Sequence, residues 1–221
     1  MVIYALYLWI ITGAALIQPR RSPNSPPTSP VRVLVPMRNE AAHIARCIAS
    51  LSAQALWPDA DVKVIIIDDH STDDSLTLAK AAIAKSAFPI QLQSLPSDYF
   101  GKKAALTYAL RQQPDDALIL TTDADCTHPT GWIRQMASTL QNGAQVVCAP
   151  VQLTGNSILA QWQRLEFAGL MALTAGHIRL GLPSLANGAN FGFRKSAFDA
   201  VEGYTAARQV ASGDDMLLMH K

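Results

Sequence analysis

Short apolar runs alternate with polar loops and helical stripes along most of the chain. Runs of the length of a buried strand occupy residues 31–35, 62–67, 89–95, 117–122 and 146–148. Between them, apolar positions recur at helical spacing, as in Ile44, Cys47, Ile48 and Leu51. Repeated strand, polar loop and helix predict an α/β fold with a mostly parallel, doubly wound (Rossmann-like) sheet flanked by helices.

The N-terminal stretch follows a different pattern. Residues 2–17 are almost uninterruptedly apolar and carry no charge. We therefore predict a transmembrane anchor over residues 1–18, although its length is slightly under the usual span. Arg20 and Arg21 follow directly, and by the positive-inside tendency they place the rest of the chain in the cytoplasm. The alternative is a hydrophobic helix that packs on the surface of the protein's own globular domain.

Composition fixes the remaining domain organisation. Residues 19–30 hold five prolines and no aliphatic residue, which predicts an extended linker. The globular domain then covers residues 31–221. With 49% hydrophobic residues it can bury a sizeable core, and the net charge of +1 gives no basic surface for nucleic acid. The three cysteines have neither zinc-site nor disulfide spacing, so we expect reduced thiols in the core.

Carboxylates follow two of the predicted strands. In a parallel sheet, ligands bind at the carboxyl ends of the strands. Asp123 and Asp125 end the run 117–122, and their i, i+2 spacing points both side chains to the same side of an extended backbone. Oxygen ligands favour Mg²⁺ or Mn²⁺. The alternative is that the pair only caps the loop before the next helix.

Four further polar clusters carry candidate chemistry. Asp68 and Asp69 end the second strand, where Asp69 can accept hydrogen bonds from a ribose or a base edge, whereas Ser71 to Asp74 favour helix capping. Gly101-Lys102 begins a predicted helix and can bind an anion, but a Walker A motif is absent from the sequence. Asn187-Gly188-Ala189-Asn190 is typical of backbone close to a ligand, or of a hairpin. Asp214-Asp215 could cap a helix or supply a general base.

The order of these clusters resembles the family 2 glycosyltransferases of the GT-A fold. The motifs are Val-Pro-Met-Arg-Asn-Glu, Ile-Asp-Asp-His-Ser-Thr-Asp-Asp-Ser, Gly-Lys-Lys-Ala-Ala-Leu, Thr-Asp-Ala-Asp, Asn-Gly-Ala-Asn-Phe-Gly-Phe-Arg-Lys and Gly-Asp-Asp-Met-Leu-Leu. The resemblance covers residues 31 to 221. Within the family, the chain is most similar to membrane-attached bacterial enzymes related to polysaccharide synthases.

The resemblance implies a role for each matching residue. Donor binding falls to Pro36, Arg38, Glu40, Asp68, Asp69, Lys102 and Asp123. Asp125, together with Asp123, would hold a divalent metal, Mg²⁺ or Mn²⁺. Asn187, Gly188 and Asn190 would border the acceptor. Asp215, with Asp214 beside it, would act as the base in an inverting transfer from a UDP-sugar to a hydroxyl of a glycan or lipid.

Two departures from the family pattern affect these expectations. His70 stands where many relatives have glycine, and it suits either a pocket or a turn. The chain also ends at Lys221 without the Gln-x-x-Arg-Trp motif or the further membrane helices of polymer-forming relatives. The resemblance therefore implies a C-terminally truncated protein, in which processive synthesis is in doubt.

Residues 156–182 predict a long helix that is apolar over much of its circumference. We expect a core or interdomain helix, with a helix lying on a lipid surface as the alternative.

Two other functions fit some of the same residues. A haloacid-dehalogenase-like phosphatase would use Asp123-Ala124-Asp125-Cys126-Thr127 as its nucleophile motif. Its nucleophile strand usually comes first, whereas two strand–helix units precede this one. The second alternative is a membrane-tethered domain that binds nucleotide-sugar without catalysis.

Overall fold

The computed structural model describes residues 2–17, 25–182 and 186–204. Its helices are α1 (Val2–Leu16), α2 (Ile44–Ser52), α3 (Ser75–Ile83), α4 (Lys102–Leu110), α5 (Trp132–Gln141), α6 (Ile158–Arg179) and α7 (Lys195–Ala200). Its strands are β1 (Val31–Met37), β2 (Val62–Asp68), β3 (Ile90–Ser94), β4 (Leu118–Thr121), β5 (Val146–Cys148) and β6 (Phe191–Arg194), with a short 3₁₀ turn at Gly188–Asn190. The predicted strands all form, with ends shifted by a few residues.

The strands of the described residues form one mixed sheet in the order β3-β2-β1-β4-β6-β5. β1 pairs in parallel with β2 and β4, and β2 pairs in parallel with β3. β6 runs antiparallel to both of its neighbours, β4 and β5. The prediction of a mostly parallel sheet is confirmed, but the sequence pattern does not predict that an antiparallel strand lies between β4 and β5.

Helices cover both faces of the sheet, as the doubly wound prediction requires. Successive residues of a strand point to opposite faces, so Val33 and Leu34 enter different cores. One core packs the strands against α2 and α5, and the other packs them against α4 and α7. Both cores are buried from solvent, which gives the central strands fixed ends from which loops project.

The loops after β1, β2 and β4 emerge at one edge of the sheet. Met37, the last residue of β1, is in register with Asp68, the last residue of β2. Thr121, the last residue of β4, pairs with Leu34 near the end of β1. The polar residues that follow these three strands therefore meet at the carboxyl edge.

The long helix α6 is not part of either core. Among its 22 residues only Thr174 and Gly176 are buried. It packs against α1, where the Tyr7 hydroxyl lies 2.5 Å from His177 Nε2 and a Cβ on Gly176 would lie 2.2 Å from the Ile11 carbonyl oxygen. The expectation of a core helix is wrong because most of its apolar side chains stay exposed. Within the described ranges, no helix combines the length and the hydropathy needed to cross a bilayer.

Candidate active site

A cavity of about 250 Å³ opens at the carboxyl edge of the sheet. Nine residues line it: Pro36, Met37, Arg38, Glu40, Asp69, Lys102, Asp123, Ala124 and Asp125. Seven of these are predicted donor-binding or metal-binding residues, and they come from three strand ends and the start of α4. The fold thus brings together residues that are up to 89 positions apart in the sequence, from Pro36 to Asp125.

Asp69 is held rigidly at the wall of this cavity. Only 3% of the residue is exposed. Its Oδ2 accepts a hydrogen bond of 2.9 Å from the Gly101 backbone N–H and lies 3.6 Å from a guanidinium nitrogen of Arg38. Its Oδ1 lies 3.1 Å from His70 Nδ1. The carboxylate is therefore fixed in orientation before any ligand binds.

His70 takes part in this arrangement through both its backbone and its ring. Its φ of +56° lies in the left-handed region, which a residue with a Cβ adopts at some cost. The ring stacks on Phe100 with 4.8 Å between centroids. His70 therefore ties the loop after β2 to the residue that precedes Gly101 and α4.

The loops after β1 and β2 are connected by hydrogen bonds. Asn39, with φ +55°, accepts at Oδ1 from the Thr72 N–H at 2.8 Å. The Glu40 N–H donates to Ser75 Oγ at 2.6 Å, and Asp73 accepts from the Ser75 N–H at 3.0 Å. Asp73 thus accepts from the first N–H of α3, as a capping residue does, whereas Asp74 at the N-cap position makes no side-chain cap hydrogen bond. The same bonds fix the loop that carries Glu40.

Negative charge accumulates on the opposite wall of the cavity. Burial raises the pKa of the Glu40 carboxyl above its usual value, and the negative charges of Asp125 and Asp123 raise it further, against a smaller lowering by His43. Lys102 Nζ lies 2.5 Å from Asp123 Oδ1 and partly offsets this charge. Asp125 is exposed, and its Oδ1 accepts a hydrogen bond from Cys126 Sγ at 3.4 Å. Asp125 is thus open to a cation, whereas Asp123 is paired with Lys102.

The thiols near this wall are not nucleophiles. Burial raises the pKa of Cys47 to about 12 and that of Cys126 to about 11, and the nearby carboxylates contribute in the same direction. Both thiols therefore remain protonated at neutral pH. The predicted burial is confirmed for Cys47, whereas Cys126 and Cys148 are half-buried.

The described residues include no cluster of three or more histidine, cysteine, aspartate or glutamate side chains arranged to hold a metal. The oxygen pair Asp123 and Asp125 nevertheless has the donor chemistry that Mg²⁺ and Mn²⁺ prefer. These ions are commonly held by one or two carboxylates plus the phosphates of a substrate. The residues fit a metal that binds together with a phosphate-bearing ligand.

Comparison with known families decides the identity of this fold and site. The sequence profile described as "Glycosyl transferase family 2" matches residues 32–202, well over half of the chain. The chain belongs to this family. The match favours the glycosyltransferase prediction over the phosphatase alternative.

Curated relatives of this family 2 chain match between 53% and 68% of its length. An undecaprenyl-phosphate 4-deoxy-4-formamido-L-arabinose transferase of Pseudomonas savastanoi pv. phaseolicola is 26% identical over 117 residues, which is 53% of this chain and 34% of that protein. Glycosyltransferase AglE of Haloferax volcanii is 25% identical over 125 residues, 56% of this chain and 40% of that protein. The matched parts thus span well under half of each of these two relatives.

Solved structures show the same fold. The mannosyltransferase PcManGT from Pyrobaculum calidifontis, in complex with GDP-Man and Mn²⁺, has a TM-score of 0.70 and 20% identity, covering 97% of this chain and 57% of that chain. Staphylococcus aureus TarS 1–349 in complex with UDP has a TM-score of 0.57 and 18% identity, covering 86% of this chain and 54% of that chain. The α/β, GT-A-like architecture predicted for this family 2 chain is confirmed, with a mixed sheet flanked by helices.

Other predicted site residues of the family 2 chain lie outside the cavity. Asp68 is 6% exposed, and its Oδ1 has no hydrogen-bond partner in the described part of the chain. Asn187 Oδ1 accepts from the Ala189 N–H at 3.0 Å, and the Gly188 carbonyl accepts from Thr121 Oγ1 at 3.1 Å. Their predicted roles in donor and acceptor binding stay predictions. Asp214 and Asp215 lie outside the described residues.

Asn190, the last predicted site residue, is held in place by a hydrogen-bond network that the sequence does not indicate. The Trp132 indole N–H donates to Asn190 Oδ1 at 2.8 Å, and Asn190 Nδ2 donates to the Pro150 carbonyl at 2.9 Å. Trp132 also stacks on His128, with 4.0 Å between ring centroids. His128 Nε2 lies 2.8 Å from the hydroxyl of Thr122, the residue before Asp123. The network joins both sides of the carboxyl edge.

His128 makes the stability of the family 2 domain depend on pH. Burial lowers the pKa of His128 to about 4, whereas an unfolded histidine titrates near about 6.5. The unfolded chain therefore binds a proton that the folded chain excludes, and the stabilisation by neutral His128 is lost as the pH falls from about 6.5 through about 4. We expect urea unfolding midpoints to be lower at pH 5 than at pH 7.5, and His128→Gln to reduce that difference. An unchanged difference would contradict the assignment.

Proposed function

We propose that this chain forms the donor-binding and catalytic part of a glycosyltransferase, a hexosyltransferase that uses a nucleotide-sugar, with UDP as the preferred nucleotide. The observation that carries the proposal is the single cavity in which Asp69, Lys102, Asp123 and Asp125 meet. The buried Asp69 carboxylate matches a nucleoside, the Lys102 ammonium group matches a diphosphate, and the carboxylates of Asp123 and Asp125 match a metal.

Each part of the nucleotide-sugar donor can be matched with residues of suitable chemistry in the cavity wall. Asp69 can accept hydrogen bonds from the base or ribose, with Pro36, Arg38 and Glu40 beside it. Lys102, at the N-terminus of α4, presents an ammonium group to the diphosphate. Asp123 and Asp125 would hold the divalent metal, which neutralises charge on the departing nucleotide when bound.

The chemistry that these residues support is an inverting displacement. The acceptor hydroxyl oxygen attacks the anomeric carbon, and the bond from that carbon to the nucleotide oxygen breaks. Asp215 takes the proton of the hydroxyl, with Asp214 as its neighbour. Lys102 stabilises negative charge that develops on the leaving diphosphate.

We further propose that the acceptor belongs to a lipid or to a glycan carried at the cytoplasmic face of a membrane. The names of several curated relatives include undecaprenyl-phosphate, which is a lipid phosphate. Arg20 and Arg21 follow the apolar N-terminal helix, as expected for a segment on the cytoplasmic side. Asn187, Gly188 and Asn190 stay the candidates for the acceptor side.

Transfer and binding measurements together test the proposal. The chain would be incubated with Mn²⁺, labelled UDP-sugars or GDP-mannose, and either a glycolipid or a glycan oligosaccharide that offers a free hydroxyl, while UDP binding is measured by calorimetry. We expect UDP to bind, and at least one UDP-sugar to give labelled product with release of UDP. Binding without transfer would favour the non-catalytic alternative. The absence of nucleotide binding by the folded chain would overturn the proposal.

A further inference from the structure

Exposed apolar side chains are concentrated on two helices of this protein. Among the described residues, 17 large hydrophobic side chains are exposed, and 14 of them belong to α1, α6 or the residues directly after these helices. We call these 14 side chains the α1–α6 surface: Leu6, Tyr7, Trp9, Ile10, Leu16, Ile17, Ile158, Leu159, Trp162, Leu165, Leu170, Ile178, Leu180 and Leu182. So many exposed apolar side chains on two helices that pack together are unusual on a soluble monomer and indicate a binding surface.

The composition of the α1–α6 surface fits a lipid bilayer. Trp9 is 77% exposed and Trp162 is 68% exposed, and tryptophan is the residue type that collects at membrane–water interfaces. Within residues 1–21 and 156–182 the charged residues are four arginines and one glutamate. Arginine is attracted to anionic headgroups. Because helices satisfy their own backbone hydrogen bonds, they can enter an apolar phase at little cost.

The position of α6 connects this surface to the site. α6 is inserted between β5 and the 3₁₀ turn before β6. The two ends of the insertion are tied together, since the Ala149 N–H donates to the Asn190 carbonyl at 3.0 Å. β5 runs parallel to β4, because both are antiparallel to β6, so the insertion leaves the sheet at the same edge as Asp123 and Asp125. The insertion that contains α6 therefore begins and ends at the edge of the sheet where the cavity opens.

We propose that the α1–α6 surface docks on a bilayer that contains anionic lipid. The two helices insert their apolar side chains into one leaflet, while Arg164 and Arg179 face the headgroups. Docking of this kind needs no helix that spans the membrane. It goes beyond the proposed transferase activity and does not depend on it.

Vesicle flotation tests this proposal on residues 1–221. The vesicles would contain phosphatidylcholine alone or a mixture of phosphatidylcholine and phosphatidylglycerol. We expect the chain to float with both, and more strongly with the anionic vesicles. The double substitution Trp162→Glu, Leu165→Glu should reduce the partition coefficient by about tenfold or more, since two exposed apolar side chains become charged. Arg164→Gln with Arg179→Gln should reduce only the preference for phosphatidylglycerol.

A matched control separates docking from general effects of added charge. Leu78→Glu alters an apolar side chain on α3 that is 36% exposed and lies outside the α1–α6 surface, so flotation should not change. The urea unfolding midpoint, measured on each variant, reports an intact fold independently of docking. Equal flotation of the Trp162 and Leu165 variant, or absence of flotation by the unmodified chain, would overturn the proposal. Lipid-free dimers that dissociate in that variant, without flotation of the unmodified chain, would assign the surface to a second copy.

Discussion

Asp125→Ala is expected to lower the Mn²⁺-dependent affinity for UDP by about a hundredfold and to reduce sugar transfer at least as much. The reason is geometric. Asp125 is the exposed carboxylate of the pair, whereas Asp123 is already bound to Lys102. Calorimetric titration with UDP, in the presence and absence of Mn²⁺, measures the effect.

Asp116→Ala is the matched control for this experiment. Asp116 is exposed and precedes β4, so it lies at the opposite end of the strand that leads to Asp123. Its substitution should leave the UDP affinity unchanged at every Mn²⁺ concentration. Equal affinities of the Asp125 variant and the unmodified protein in Mn²⁺ would show that the metal is bound elsewhere.

Asp215→Asn is expected to lower kcat by about two to four orders of magnitude, because an amide cannot take the proton of the acceptor hydroxyl. The affinity for UDP should not change, since the proposed base acts on the acceptor. Single-turnover transfer assays measure the first quantity, and calorimetry measures the second. The combination distinguishes a base from a residue that holds the donor.

Asp214→Asn provides the comparison within the same motif. If Asp215 is the base, the neighbouring substitution should cost clearly less in kcat. A larger loss of kcat in Asp214→Asn than in Asp215→Asn would assign the role of the base to Asp214 instead. Loss of UDP binding in the Asp215 variant would instead place this carboxylate among the donor-binding residues.

The central sheet and the meeting of polar side chains at its carboxyl edge could be predicted because one physical rule produces both. Buried parallel strands appear in the sequence as short apolar runs, and the residues after them must meet at one edge. Asp69 and the pair Asp123 and Asp125 directly follow such runs. Their closeness in space could therefore be predicted without knowledge of distant contacts. Lys102 follows the same logic as the first residue of a helix that faces this edge.

The parts that escaped prediction depend on contacts that a linear pattern does not contain. β6 has four residues, including Gly192, and such a short glycine-bearing run is not distinguishable from a hairpin loop. A helix that is apolar on all sides is typical of a core, and only the structure shows that α6 is exposed. The sequence alone does not distinguish Trp132 and His128 from ordinary core residues. Their role is visible only in their ring and hydrogen-bond contacts.

The ion pair between Lys102 and Asp123 has a consequence for the order in which ligands associate. Lys102 acts as an internal counter-ion, which reduces repulsion among the three carboxylates of Glu40, Asp123 and Asp125. Asp123 Oδ1 becomes available to an external cation when Lys102 moves to another anion, and a diphosphate would be such an anion. Divalent cation and nucleotide should therefore bind with positive cooperativity, each strengthening the association of the other.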